Sequence, residues 1–127
     1  MSVKNIISKD LFAAHSGIEL VEVSEGSAVT KMEIRPYHLN GVGIVQGGAI
    51  YTLADLALAA AANSRDRTAV GLTSHIAYFK AESSGTLFAK AVEVSLHHTV
   101  ATYRVDVTNE DGELVASFEG TVYRRKA

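Results

Sequence analysis

Most of the chain alternates apolar and polar positions with a period of two, the mark of strands that bury one face. Ala28, Thr30, Met32 and Ile34 oppose Val29, Lys31, Glu33 and Arg35. Ala101, Tyr103, Val105 and Val107 oppose Thr102, Arg104, Asp106 and Thr108, and near the end Leu114, Ala116, Phe118 and Val122 share a face. Further strands are predicted over 17–23, 68–80 and 86–96, and a short helix over 8–15. Turn-forming clusters separate them: SEGSA at 24–28, RPYHLNGVG at 35–43, NSRDR at 63–67, ESSGT at 82–86 and NEDGE at 109–113. The pair Asp111-Gly112 predicts a hairpin turn with positive φ at both central residues. No cluster is long enough to be an interdomain linker, so residues 1–127 are expected to form a single domain.

One segment breaks the alternation. From Gly47 to Asn63 the sequence GGAIYTLADLALAAAAN consists of helix formers without proline, and its apolar residues occupy every side of the wheel. A helix of that kind is expected to be enclosed. In a chain this short, an antiparallel sheet curling around the helix with its apolar strand faces inward is the inexpensive solution. Ala57 and Ala59 to Ala62 permit close approach. The expected class is α+β, a curved antiparallel sheet wrapped around one long apolar helix.

Composition narrows the chemistry. The chain has 47% hydrophobic residues, enough for a proper core. Twelve Lys and Arg against fourteen Asp and Glu give a formal charge of -2, too little positive field to neutralise a run of phosphates, so nucleic acid is not an expected partner. The absence of cysteine excludes disulfides, thiol nucleophiles and thiolate metal sites. Neither an apolar leader nor a membrane-spanning stretch is read from the sequence, because Thr52 and Asp55 interrupt the most apolar run. A soluble, cytoplasmic, unprocessed protein is expected. There is no G-x-S-x-G elbow, Walker loop or H-E-x-x-H motif. His97 and His98, adjacent at a strand end, point to opposite faces, and no metal or other cofactor is expected. His75 reads as a satisfied structural residue, and Arg124-Arg125-Lys126 as a solvated tail.

Two features carry possible chemistry. Asp55 is the one charged residue of the apolar helix, and burying a carboxylate is costly unless it is paired or has its pKa raised. It is either a functional group or an edge carboxylate paired with a neighbouring Arg or Lys. Ahead of the helix runs the approach His38-Leu39-Asn40-Gly41-Val42-Gly43-Ile44-Val45-Gln46, delivering Gly47 and Gly48 to the helix start. The first N–H groups of a helix are unpaired and favour negative charge, and two glycines let a ligand carbonyl approach them. The alternative is that the glycines only begin a tightly packed helix. Asp55 lies roughly 12 Å along the axis from Gly47 at 1.5 Å per residue, too far for both to serve one carbonyl. A symmetric dimer bringing one subunit's helix past the other's loop removes the difficulty.

The spacing N-x5-Q-G-G-x6-D, formed by Asn40, Gln46, Gly47, Gly48 and Asp55, resembles the hotdog-fold acyl-CoA thioesterases of the PaaI-like, phenylacetate-degradation group. The similarity spans about Leu11 to Arg124, including TSHIAYFKAESSGTLFAKAVEV and the closing NEDGELVASFEGTVY. It implies a hotdog fold, a homodimer with a continuous sheet, commonly paired into a homotetramer, and hydrolysis of an acyl-CoA substrate in sites shared between subunits. By the same resemblance Gly47 offers its N–H to the thioester carbonyl. Asp55 of the partner subunit is then nucleophile or base, and Asn40 orients water or carbonyl. Gln46 departs from the family's usual His and removes a proton carrier from that position. Substrate contacts are expected from Gly48 and, for the CoA phosphates, from Lys80, Ser83 and Ser84. An aryl or medium-chain acyl group is implied. Ala60, five residues after Asp55, lacks the acid-histidine dyad of the related hydratases. The other reading is a hotdog module that binds acyl-CoA or another small ligand without turnover.

Overall fold

In the computed structural model, residues 2–126 are described. Two short helices, α1 (Val3–Ser8) and α2 (Leu11–His15), precede strands β1 (Ile18–Ser24) and β2 (Ser27–Glu33). A single 3-10 turn over Pro36–His38 leads to the long helix α3 (Gly47–Ala62). Strands β3 (Ala69–Tyr78), β4 (Thr86–Leu96), β5 (Val100–Thr108) and β6 (Leu114–Arg124) follow. All neighbours pair antiparallel in one six-stranded sheet of order β1-β2-β4-β5-β6-β3. This is the hotdog arrangement expected from the sequence, a sheet packed around one helix.

The N-terminus differs from the single helix expected over 8–15. The Ser2 and Asp10 side chains each cap a separate helix by accepting from the N–H three residues on, and the chain breaks at Lys9 between them. The hairpin between β5 and β6 has positive φ at Gly112 (80°) but not at Asp111. There Asn109 does more of the work, its Oδ1 accepting from the N–H groups of Asp111 and Glu113. Leu114, placed inward by the period-two reading, is exposed. Pairing runs from Val107↔Ala116 to Thr108↔Leu114, so Val115 is an extra residue on its strand, and it takes the buried position beside Ala116.

Helix α3 touches every strand, most extensively β2 and β4. Ala54, Ala57, Ala60 and Ala61 of the helix are fully buried in one core with Ala89, Ala91 and Ala116 of the sheet, and Leu58 reaches the sheet at Gly120, where a Cβ would stand 2.9 Å from it. Larger side chains, Leu53, Met32, Leu87 and Phe118, fill the space around them. Thr30, fully buried on β2, donates its hydroxyl to the Leu53 carbonyl at 2.9 Å, so the polar atom the pattern sends inward is satisfied. The expected enclosure is incomplete. Gln46, Gly48 and Asp55 are exposed, and Thr52 and Ala59 are half-buried, leaving one open strip along the helix.

Beyond the far end of α3 a polar cluster ties the chain to the sheet. Arg65 donates through Nε and Nη2 to both oxygens of Glu93 at 2.9 Å, and through Nη1 to Glu25 at 3.0 Å. The buried Tyr103 phenol also donates to Glu93, at 2.8 Å, and burial together with that bond raises its pKa. Arg124, expected in a solvated tail, is instead buried at the end of β6, where it donates to the His97 carbonyl at 2.7 Å.

Glu93 therefore holds two partners out of water, with Arg65 and Glu93 side chains only 25% and 16% exposed. Glu93→Ala is expected to lower unfolding free energy by about 1–3 kcal/mol, since it leaves the buried Tyr103 phenol without its acceptor and Arg65 with Glu25 alone. Glu19→Ala breaks an exposed 3.8 Å pair with Lys31 and should cost less than about 0.5 kcal/mol. Urea denaturation of both variants measures the contrast.

Candidate active site

The loop before α3 is built by its own backbone. Leu39 and Val45 form an antiparallel bridge, Gln46 N–H donates to the His38 carbonyl at 2.8 Å, and Val45 N–H donates to the Glu82 carbonyl at 2.8 Å. Asn40 shapes the interior of the loop. Its Oδ1 accepts from Val42 N–H at 3.0 Å and Ile44 N–H at 3.3 Å, leaving its NH2 group outside these contacts. His38 is buried beneath. Its Nδ1 accepts from Arg35 N–H at 2.9 Å and its Nε2 donates to the Ser16 carbonyl at 2.6 Å, which makes it structural.

Gln46 is the N-cap of α3, and its Oε1 accepts from Gly48 N–H at 2.5 Å. The Gly48 donor expected to face a ligand is thus taken by the cap. Gly47 N–H is different. As the first donor of the helix it has no partner among the described residues. The opposite side of Gly47 is closed by Tyr78, whose phenol donates to the Gly47 carbonyl at 2.8 Å. A Cβ on Gly47 would stand 3.0 Å from the Tyr78 oxygen and 3.1 Å from Cζ, so glycine is needed here for close approach. Tyr51, on the next turn, hydrogen-bonds Ser74 of the same strand. Two phenols therefore fasten the start of α3 to β3, a pairing that period and motif reading does not single out.

Asp55 lies on the open strip, one turn beyond Thr52, whose hydroxyl donates to the Gly48 carbonyl at 2.8 Å. Asp55 has neither an ion pair nor a hydrogen bond among the described residues, so the paired edge carboxylate is not what the structure contains. Desolvation by the surrounding helix surface, and secondly the negative charge of Asp10, hold its carboxyl above the ordinary range. Within one protomer the Gly47 donor and Asp55 stand two turns apart on one helix.

A cavity of about 970 Å³ opens beside the helix start, lined by Phe12, His15, Tyr37, Leu39, Gln46 and Thr52 among others. Lys80 lies elsewhere, 3.5 Å from Glu82, in a hollow it shares with Ser84, Glu110, Asp111 and Glu113. That acidic surround is a poor receptacle for phosphate, and the exposed Ser83 and Ser84 side chains make no hydrogen bond among the described residues. His75, expected to be satisfied within the fold, is exposed on β3 opposite Glu119. Among the described residues no group of His, Cys, Asp or Glu is arranged to hold a metal ion, and no helix is long and apolar enough to cross a membrane.

Residues 42–116, more than half of the chain, match the thioesterase superfamily. The acyl-coenzyme A thioesterase PaaI of Escherichia coli is 32% identical over 91% of this chain and 83% of its own length. Its structure covers 99% of this chain and 92% of its own, with TM-score 0.94 and 28% identity. A mutant structure of the phenylacetic acid degradation protein PaaI of Thermus thermophilus is similar with TM-score 0.87 and 42% identity, over 91% of this chain and 100% of that one. A hypothetical thioesterase of Streptococcus pneumoniae, solved with coenzyme A, is similar with TM-score 0.88 and 26% identity, over 95% of each chain. With its glycine-started helix, six-stranded sheet and these relatives, the chain belongs to the thioesterase superfamily, as a hotdog thioesterase of the PaaI-like group.

Proposed function

We propose that this thioesterase hydrolyses acyl-CoA to the free acid and CoA, in sites made where two copies of the chain meet. The observation that carries the reading is the contact between Tyr51 and Ser74. Tyr51 lies four residues after Gly47 and four before Asp55, while Ser74 lies at the middle of β3. Strand β3 is an unpaired edge of the sheet, with Val70, Leu72 and Tyr78 exposed along it, and such an edge favours pairing with another strand. Two copies joined antiparallel about the middle of β3 would run their helices past each other centred on Tyr51. Gly47 of one copy would then stand level with Asp55 of the other. A homodimer, or a dimer of dimers, follows from this reading.

In such a site the thioester oxygen accepts from the free Gly47 N–H at the positive end of α3, where charge develops as the carbonyl is attacked. Asp55 takes the proton of the attacking water, the C–S bond breaks, and the CoA thiolate leaves and is protonated. A carboxylate whose pKa is raised is the stronger base for this step. Asn40 has its NH2 group available to orient the water or the carbonyl. Gln46 exchanges no proton and holds the helix start in shape, its Oε1 occupying the space beside Gly48. The aromatic walls of the cavity, Phe12 and Tyr37, support an aryl or medium-chain acyl group. The relative solved with coenzyme A supports CoA as the carrier. Lys80, Ser83 and Ser84 are the weaker part of the assignment because of the carboxylates around them.

Asp55→Asn should lower turnover of acyl-CoA by about 10²–10⁴-fold, measured by thiol release. Its stability should move the other way. A carboxyl with a raised pKa in the folded state binds more protons there than when unfolded, so its contribution is present at low pH and is lost as pH rises through the folded value. The variant should therefore be at least as stable as the parent at neutral pH, and the difference should vanish in acid. A stable variant with full activity would remove Asp55 from the mechanism, and an inactive parent that still binds acyl-CoA would favour binding without turnover.

Shared sites have a separate test. Refolding Asp55→Asn together with Gly47→Ala, each strongly impaired alone, should restore about a quarter of the parental activity, because each hybrid dimer regains one intact site. Sites confined to one protomer would regain nothing. Gln46→Ala should lose about 0.5–2 kcal/mol of stability with its cap and lower kcat by no more than one neutral hydrogen bond, whereas Gln46→His should retain activity. Thermal melts and the same hydrolysis assay read both.

A further inference from the structure

We infer that Tyr78 is a positioning residue for the thioester carbonyl, acting through Gly47; the inference rests on the functional reading above. The donor that reading relies on has no intrinsic rigidity. It is the first N–H of a helix, carried by a glycine, flanked by a second glycine, and bonded to nothing among the described residues. Electrostatic stabilisation of a developing oxyanion depends on the donor being aimed beforehand, since reorientation during the reaction cancels part of the gain. Something must hold Gly47.

Tyr78 is built to do so. Its hydroxyl donates to the Gly47 carbonyl at 2.8 Å, and its ring edge faces the position a Cβ of Gly47 would take, within 3.0–3.5 Å of it through Oη, Cζ and Cε1. The phenol thus restrains the residue from the side a longer residue would restrain by its own bulk. Its other end is fixed, because Tyr78 closes strand β3 in register with Ala116 of β6 and the next residue, Phe79, donates its N–H to the Val115 carbonyl at 2.8 Å. On the neighbouring turn Tyr51 repeats the tether to Ser74, so the whole first turn and a half of α3 is referred to β3. The strand that fixes the donor is the same edge that a second copy would pair with.

Tyr78→Phe deletes the hydroxyl and keeps the ring. With an acyl-CoA substrate, kcat should fall about tenfold while KM stays within about twofold, because the lost restraint matters where charge develops. The melting temperature and the mass of the assembly should match the parent. The shape of the pH profile should also be unchanged, which separates positioning from proton donation by the phenol. Gly47→Ala supplies the second arm. If Tyr78 acts through Gly47, removing its hydroxyl in the Gly47→Ala background should not lower the residual rate further, since a Cβ at position 47 already crowds the Tyr78 oxygen at 3.0 Å. Equal kcat in Tyr78→Phe and parent, a loss confined to KM, or additive losses in the double variant would each overturn the inference and leave the thioesterase reading standing. A parent chain that hydrolyses no acyl-CoA would overturn both. If Tyr78→Phe fails to fold, Tyr78→Met, which fills much of the same space without a donor, is measured by the same kcat and KM criteria.

Discussion

The structure depends on how closely a sixteen-residue helix can approach a curved sheet. Ridges of leucine would hold α3 away from the strands, and the sheet would have to open to admit them. The alanines at 54, 57, 60 and 61 remove that obstacle on the inner side, and alanines at 89, 91 and 116 answer them from β4 and β6. Small contacts bury little area each, so the energy comes from the larger residues around them, about 1.5–3 kcal/mol for each fully buried Leu, Met or Phe. Close approach has a further consequence. The backbone of α3 comes within reach of sheet side chains, as the bonds from Thr30 to Leu53 and from Tyr78 to Gly47 record. Position along the helix is therefore fixed by hydrogen bonds rather than by packing alone, which a smooth alanine surface would leave free to slide.

Much of this was legible in the sequence because two periods are distinct. The period of two located β2, β5 and β6, the segments between turn clusters gave the other three strands, and the unbroken apolar run located α3 to within a residue of its observed end at Ala62. What the periods cannot express is irregularity. The bulge at Val115 reversed the facing of Leu114, and two capping side chains, Ser2 and Asp10, divided one expected helix into two. Nor does composition reveal which polar residue finds a partner. Arg124 is buried because a carbonyl on the loop at His97 receives it, and His75 is exposed because β3 has no outer neighbour. Both facts belong to the topology.

The site was half legible for the same reason. Asn40, Gly47 and Asp55 carry a spacing that can be read along the chain, and the structure puts them where that spacing leads, at a loop, a helix start and a helix face. Gln46 turned out to commit its acceptor to Gly48, which reduces the free donors at the helix start to one. Tyr78 and Ser74 are thirty-one residues from Gly47 and twenty-three from Tyr51 in sequence, and no local pattern connects them. Only the return of β3 along the helix does.

An apolar helix with one unpaired carboxylate would be stabilised by replacing that carboxylate, and the open strip it lies on leaves one side of the helix uncovered. Neither feature helps a solitary protomer fold. Both become intelligible when the strip and the β3 edge are regarded as one surface, since pairing at the edge carries the helices alongside and covers the strip in the same step. In the proposed dimer, covering it would remove more water from Asp55 and strengthen it as a base, while a donor fixed from β3 would come level with it. On this reading the surface that drives association and the surface that performs hydrolysis cannot be separated. A substitution on the outer edge of β3 would then act on rate through geometry before it acted on stability.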